Sequence, residues 1–383
     1  MEKINKENKK LFCEKCQKNS KIFNKNKYLC VECFEELIDH KFRANLRTVC
    51  KIRHEDYLLI CISGGNNSMC MLNMFYKSFT QKKTNKKLFF KMKILYIDDS
   101  IFLKDKEKII ENRNKNKEFI ENITKQYNFK DYQIINLENI MDINNINLDL
   151  LDINTNMNLI EKYFNIYDNL PKIGGFKNKF IKITIQNLIF FYAIKFNFTK
   201  IIYAINGQNL INNSFKSIIL GNGVNIRHEI DHLDNTFLNG KINILKPLQD
   251  FSNKEILLYN HYNKVNILYP HYTIENLKLI LNEFFENLQN QKPNTLYTVI
   301  NTIEKLSNKI KEKRKCKFCL NELDDIKSEL EFGINNLLNI KDCILNKELC
   351  YQCRRMFSYY IKKNDINENK KILLLFNFLN NLN

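Results

Sequence analysis

Eight of the twelve cysteines in this 383-residue sequence fall into four Cys-x-x-Cys pairs, and the pairs lie only near the two ends of the chain. Cys13/Cys16 and Cys30/Cys33 are separated by 13 residues, Cys316/Cys319 and Cys350/Cys353 by 30. Four thiolates suit a tetrahedral Zn²⁺, because a Cys-x-x-Cys turn places both its sulfurs on one side of the metal. The spacing therefore predicts two small metal-linked modules, with the shorter separation giving the N-terminal set the stronger signal. Redox chemistry is the rival reading, but no strand leads into a pair as a thioredoxin-like site requires. The stretch between Cys70 and Cys316 holds no cysteine. It can supply neither a thiolate nucleophile or persulfide carrier nor an iron–sulfur ligand.

The middle of the chain must then fold on a hydrophobic core, and its pattern says which kind. YLLICI (Tyr57 to Ile62) is a short apolar run that ends at two glycines and is followed by the helical pattern SMCMLNMFYKSF. KILYIDD and DYQIINL read as two further strands, with an amphipathic helix over 104–128 between them. A helix over 177–196, the strand KIIYAI, a helix over 210–220 and the strand KINILKPL continue the alternation. Strands alternating with helices predict a parallel sheet covered on both faces. Residues 138–170 are Asn/Asp-rich and weakly periodic, and read as an insertion. The expected division is a metal module with a linking helix over 1–48, an α/β domain over 49–265, a helical segment over 266–315 and a cysteine-rich module over 316–383.

The strand-to-helix turn is SGGNNS, Ser63 to Ser68. A Gly-rich turn there presents backbone N–H groups and the positive end of a helix dipole to an anion. A plain turn would use the same two glycines. The pattern SGGxDS marks the pyrophosphatase-type (PP-loop) turn of enzymes that adenylate a carbonyl oxygen, and here Asn67 stands at the acidic position. An amide has a carboxylate's size without its charge and binds Mg²⁺ poorly. The loop residues Ser63, Gly64, Gly65 and Ser68 are expected to keep their shape and Asn67 to weaken ATP/Mg²⁺ chemistry. A side chain at Gly65 is expected to crowd the turn. Asp98/Asp99 ends a strand, where carboxylates meet ligands in such sheets or simply end the strand. Cys61 and Cys70 read as core, and the six histidines show no ligand spacing.

The net charge of +18 and a pI of about 9.2 suit a polyanionic partner. Lys and Asn are enriched throughout, however, which coding bias alone can produce, so charge leaves nucleic-acid binding open. No apolar run of 18 residues follows a basic start or occurs elsewhere, which predicts a soluble intracellular protein without a membrane segment.

CEKC, LCVECFEELIDHKFRANL, SGGNNS, GQNLINNSFKSIILGNG, ILKPLQDFSNKEILLYN and LCYQCRRMF together resemble the cytoplasmic tRNA 2-thiolation protein 2 family, over nearly the whole chain. The resemblance implies a Rossmann-like adenine nucleotide alpha hydrolase (PP-loop) fold, a cytoplasmic location and a partner, tRNA 2-thiolation protein 1, that carries the ATP chemistry. The pair would place sulfur from a thiocarboxylated ubiquitin-related modifier on the wobble uridine of lysine, glutamine and glutamate tRNAs. Implied for this chain are metal-ligand roles for the eight paired cysteines, one or two zinc ions, tRNA contact and a second loop at Gly221 and Gly223. Related sequences have Gly-Arg-Gly there, whereas this one has Gly-Asn-Gly. A weakened loop and no mid-sheet cysteine fit an assisting subunit rather than the active one. The rivals are a self-sufficient ATP-dependent sulfurtransferase or ligase, and a zinc-containing adaptor that never meets RNA.

Overall fold

A computed structural model describes residues 12–53, 55–80, 90–145, 155–172, 175–220, 223, 226, 233–234, 240–268, 276–292, 295–306, 315–321, 323 and 349–358. YLLICI forms strand β3 (Tyr57–Ile62), and five of its six residues are buried. Such a strand must be covered on both faces, which is the condition a parallel sheet imposes. Its alternate residues feed two separate cores. Leu59 and Cys61 face one, Leu58, Ile60 and Ile62 the other.

Around β3 the sheet has the order β5–β4–β3–β6–β8–β7, with β4 (Lys91–Asp98), β5 (Tyr132–Asn136), β6 (Lys200–Tyr203), β7 (Leu233–Asp234) and β8 (Asn243–Leu245). Every pairing is parallel except that of the short edge strand β7 with β8. The chain winds outward from β3 through β4 to β5, then returns to β6 on the other side of β3. This reversal opens a crevice at the carboxyl ends of β3 and β6, where ligands bind in such sheets.

Before the sheet come a hairpin of β1 (Ile22–Asn24) and β2 (Lys27–Leu29) and helix α1 (Val31–Ala44). Helix α2 (Asn66–Thr80) follows the SGGNNS turn, and α3 (Lys106–Gln126) begins with Asp105 as N-cap. Residues 157–168, expected as part of a weakly periodic stretch, form a regular helix α4 (Met157–Asp168) with Ile160, Tyr163 and Ile166 buried. The Leu/Ile/Tyr spacing of LIEKYFNIY is helical, and the Asn-rich flanks dilute it in a longer window. Helix α5 (Phe176–Lys195) buries residues on most of its faces. It lies between the sheet and the second cysteine module, which share one core with it. Helices α6 (Gly207–Ile219), α7 (Asn253–Tyr262), α8 (Asn276–Gln291), α9 (Thr295–Leu306) and α10 (Tyr351–Met356) complete the described chain.

The first cysteine module joins the core on the other face, with Cys13, Cys30, Phe34 and Phe42 packed in one cluster with Met71, Met74 and Phe75 of α2. The two modules thus cap opposite faces of the sheet. No helix among the described residues is long and apolar enough to cross a membrane.

Candidate functional site

Each cysteine module is built to one local plan. In the first, the Cys13 N–H donates to the Lys18 carbonyl at 2.7 Å and the Gln17 N–H to the Cys13 carbonyl at 2.8 Å, with Gln17 at φ 62°. In the second, the Cys316 N–H donates to the Asn321 carbonyl at 2.7 Å and the Leu320 N–H to the Cys316 carbonyl at 2.9 Å, with Leu320 at φ 61°. The other pair of each module opens a helix, Cys30 as N-cap of α1 and Cys350 as N-cap of α10. Strand β2 runs directly into Cys30, against the expectation that no strand leads into a pair. It is the gathering of Cys30 and Cys33 with Cys13 and Cys16 that favours a metal over a two-cysteine redox site. Turn and helix start bring the sulfurs together. Within each set, Cys13/Cys16/Cys30/Cys33 and Cys316/Cys319/Cys350/Cys353, all four lie within 4.8 Å of one another. Cys16 Sγ lies 3.6 Å from Cys30 Sγ, and Cys319 Sγ 3.7 Å from Cys350 Sγ. Thiolates bound at about 2.3 Å to one tetrahedral ion stand about 3.8 Å apart, so both donor sets fit a single four-coordinate metal.

The SGGNNS turn sits at the crevice. Ser68 is buried and its hydroxyl donates to the Gly65 carbonyl at 3.0 Å. Its oxygen also accepts from the Ser63 N–H at 3.3 Å, so the side chain holds the loop closed. Gly64 has φ +75°, and a methyl group on it would lie 2.7 Å from Leu268 Cβ. The Leu268 N–H donates to the Gly64 carbonyl at 2.8 Å, so the residue covers the loop from above. A methyl on Gly65 would meet nothing nearer than Ser63 Oγ at 3.6 Å. The crowding expected at Gly65 therefore belongs to Gly64. Gly65 instead lines the crevice, where a side chain would take ligand space.

Asn67 lies among amides. Asn206, the N-cap of α6, donates through Nδ2 to Asn253 Oδ1 at 2.6 Å and reaches Asn67 Oδ1 at 3.5 Å. The crevice opens into a cavity of about 520 Å³ that runs from Ser63, Gly65 and Ser68 to Cys319 and Gln352 of the second module. Lys179, Lys182, Lys216 and Lys246 also line it, so among the described residues its cations outnumber its one carboxylate, Asp99. Burial, aided by the neighbouring Asp98, pushes the Asp99 carboxyl up to about 7.

The two aspartates at the end of β4 have separate tasks. Asp98 is buried and accepts from Asn116 Nδ2 at 2.8 Å and Arg113 Nε at 3.3 Å. Arg113 is itself buried and donates to both oxygens of Glu138 at 2.7 and 2.8 Å. Asp98 is structural, and Asp99 meets the cavity. Sequence reading left this pair undivided and did not single out Asn206, Leu268 or the four lysines. The signals available were the Asn-Gly N-cap before α6, the Lys179/Lys182 spacing at the start of α5 and the Lys-Pro of ILKPLQDF.

Cys61 and Cys70 are buried and burial pushes both thiols far up, so neither is a thiolate at neutral pH. Gly221 lies outside the described residues, and Gly223 is exposed with open space around it.

Comparison with known proteins agrees with the family resemblance. A sequence model of the family "Cytoplasmic tRNA 2-thiolation protein 2" matches residues 274–339. Proteins of that name from Drosophila yakuba and Drosophila melanogaster are 25% and 26% identical to the chain, over 89% and 84% of its length and 89% and 79% of theirs. The protein of that name from Dictyostelium discoideum is 26% identical over 78% of this chain and 56% of its own. Among solved structures, the U34-tRNA thiolase NcsA from Methanococcus maripaludis with its 4Fe-4S cluster superposes with a TM-score of 0.57 at 16% identity, covering 78% of this chain and 89% of that one. The fold is thus the parallel-sheet α/β fold of that thiolase, carrying two four-cysteine groups.

Proposed function

We propose that this chain is the non-catalytic subunit of a cytoplasmic tRNA 2-thiolation pair. In this reading the partner, of tRNA 2-thiolation protein 1 type, supplies ATP activation and sulfur handling, and this chain supplies a folded support and tRNA contact. The observation that carries it is the loop itself. SGGNNS keeps a closed, anion-ready turn at the crevice while its acidic position is an amide, Asn67, facing the amide of Asn206. Backbone N–H groups at Gly64 and Gly65 and the start of α2 remain suited to a phosphate. A neutral Asn67 does not hold Mg²⁺ against pyrophosphate as a carboxylate would, and that is the charge an adenylating site uses.

The cysteine pattern supports the same division of labour. A thiolase needs a sulfur that can attack or carry, and among the described residues the cavity offers only Cys61, buried and protonated, and Cys319, held in a four-cysteine set. The sulfur would arrive through the complex from a thiocarboxylated ubiquitin-related modifier and go to the wobble uridine of lysine, glutamine and glutamate tRNAs. Both donor sets would hold Zn²⁺. The short sulfur–sulfur distances suit one ion rather than a four-iron cube, which spreads its thiolates over separate irons. When bound, the metal supplies structure, tying a turn to a helix start on each face of the sheet. The modules over 1–48 and 316–383 are read as covers on the α/β domain. A cytoplasmic location accords with the family's description.

The test is pyrophosphate release by the isolated chain with ATP, Mg²⁺ and tRNA. No tRNA-dependent release is expected, and co-purification with a second loop-bearing subunit is. Release by the chain alone would make this loop an active site.

A further inference from the structure

The two metal-binding groups share a plan but differ in exposure. All four cysteines of the C-terminal set are buried, whereas in the N-terminal set Cys13, Cys30 and Cys33 are buried and Cys16 is exposed. Cys16 Sγ also lies 3.6 Å from Cys30 Sγ, near enough for the two sulfurs to be joined. Susceptibility of a cysteine to oxidation follows thiolate character and access, and metal coordination provides the first to all eight sulfurs. Access then separates the two sets.

We propose that the N-terminal four-thiolate centre is an oxidant-sensitive modification site entered at Cys16, and that the C-terminal centre is inert to the same oxidant. The co-reactant is a peroxide. One hydrogen peroxide accepts two electrons, one from Cys16 and one from Cys30. The O–O bond breaks, an S–S bond forms between the two sulfurs, and two protons from solvent complete two waters. The metal, having lost two of four ligands, leaves as the dication, and Cys13 and Cys33 are left as thiolates for solvent to protonate.

The consequence reaches the loop helix through contacts already in place. The hairpin and α1 are latched to the α/β fold by Glu255, which accepts from Asn24 at 3.3 Å and pairs with Lys25 and Lys41, each at 3.4 Å. Helix α1 lies on α2 through Phe42–Phe75 at 5.0 Å and Glu35–Lys77 at 3.0 Å. Release of the N-terminal metal loosens the cover on the helix that begins at SGGNNS. The C-terminal cover, wedged against α5 by Phe318 and Phe357, stays.

The experiment uses the full chain loaded with zinc, hydrogen peroxide and a chromophoric zinc chelator, followed by mass-spectrometric mapping of disulfides and of cysteines still open to alkylation. One equivalent of zinc should appear at least tenfold faster than the second, with the first disulfide at Cys16–Cys30. Cys16→His keeps a fourth ligand but removes the exposed thiol, and should slow the first release about tenfold. Equal release from both centres, first oxidation among Cys316, Cys319, Cys350 and Cys353, or a Cys16→His protein as fast as wild type would each overturn the proposal. Zinc bound only at the C-terminal set would overturn it as well. None of these readouts depends on the tRNA-thiolation reading.

Discussion

Gly64 and Gly65 look alike in SGGNNS but the structure asks different things of them. Gly64 sits at φ +75° beneath Leu268, so Gly64→Ala meets both left-handed strain and a 2.7 Å contact. The strain alone costs about 1–2 kcal/mol. Urea unfolding should register a loss of at least that size for Gly64→Ala, against a change within about 0.5 kcal/mol for Gly65→Ala. Asp99 carries a second residue-scale expectation. Its folded value of about 7 lies above its ordinary 3.8. The folded state therefore holds a proton that the unfolded state releases, and stability falls as pH rises from about 4 through about 7. Asp99→Asn should flatten that slope and raise Tm at pH 8 more than at pH 5. A slope unchanged in the variant would assign the pH dependence elsewhere. The sequence made the loop and its missing charge legible, because a strand, two glycines and a helix pattern are contiguous. It could not divide Gly64 from Gly65 or Asp98 from Asp99, since the residues that distinguish them, Leu268 and Arg113, come from other elements.

Among the elements, β3 was readable to the residue because a run buried on both faces has no polar member to blur its ends. Helix α4 was not, since Asn-rich neighbours dilute its apolar stripe. Helix α3 shows what periodicity misses altogether. Its Arg113 and Asn116 lie on the buried face with the isoleucines, where they serve Asp98. Removing one partner of a buried ion pair typically costs about 3–5 kcal/mol, because the charges left behind stay desolvated. Arg113→Met should lose stability in that range by chemical denaturation and disturb the end of β4 beside the cavity. A loss under about 1 kcal/mol would mean that water reaches Asp98 and Glu138 in its place.

At the scale of the whole molecule, the cysteine pairs gave the plan of two end modules, and tertiary packing decided that they cap opposite faces of one sheet. Sequence spacing carries no information about which face a module meets; that follows from the crossovers around β3. With 60 basic and 42 acidic residues, the chain should bind tRNA largely through counterion release. Affinity of the isolated chain should fall at least tenfold between about 50 and 200 mM salt, with little difference among tRNAs. Salt-independent binding would contradict this, and no binding at low salt would favour a protein adaptor.

The proposed division of labour between this chain and a partner of tRNA 2-thiolation protein 1 type is tested most directly by the 2-thiouridine content of tRNA after reaction with the reconstituted pair, with sulfur donor and ATP, when this chain is wild type, Asn67→Ala or left out. Thiolation should be lost without the chain and close to the wild-type level with Asn67→Ala. Full thiolation without the chain, or its abolition by Asn67→Ala in a pair that still assembles, would contradict a supporting, non-catalytic role.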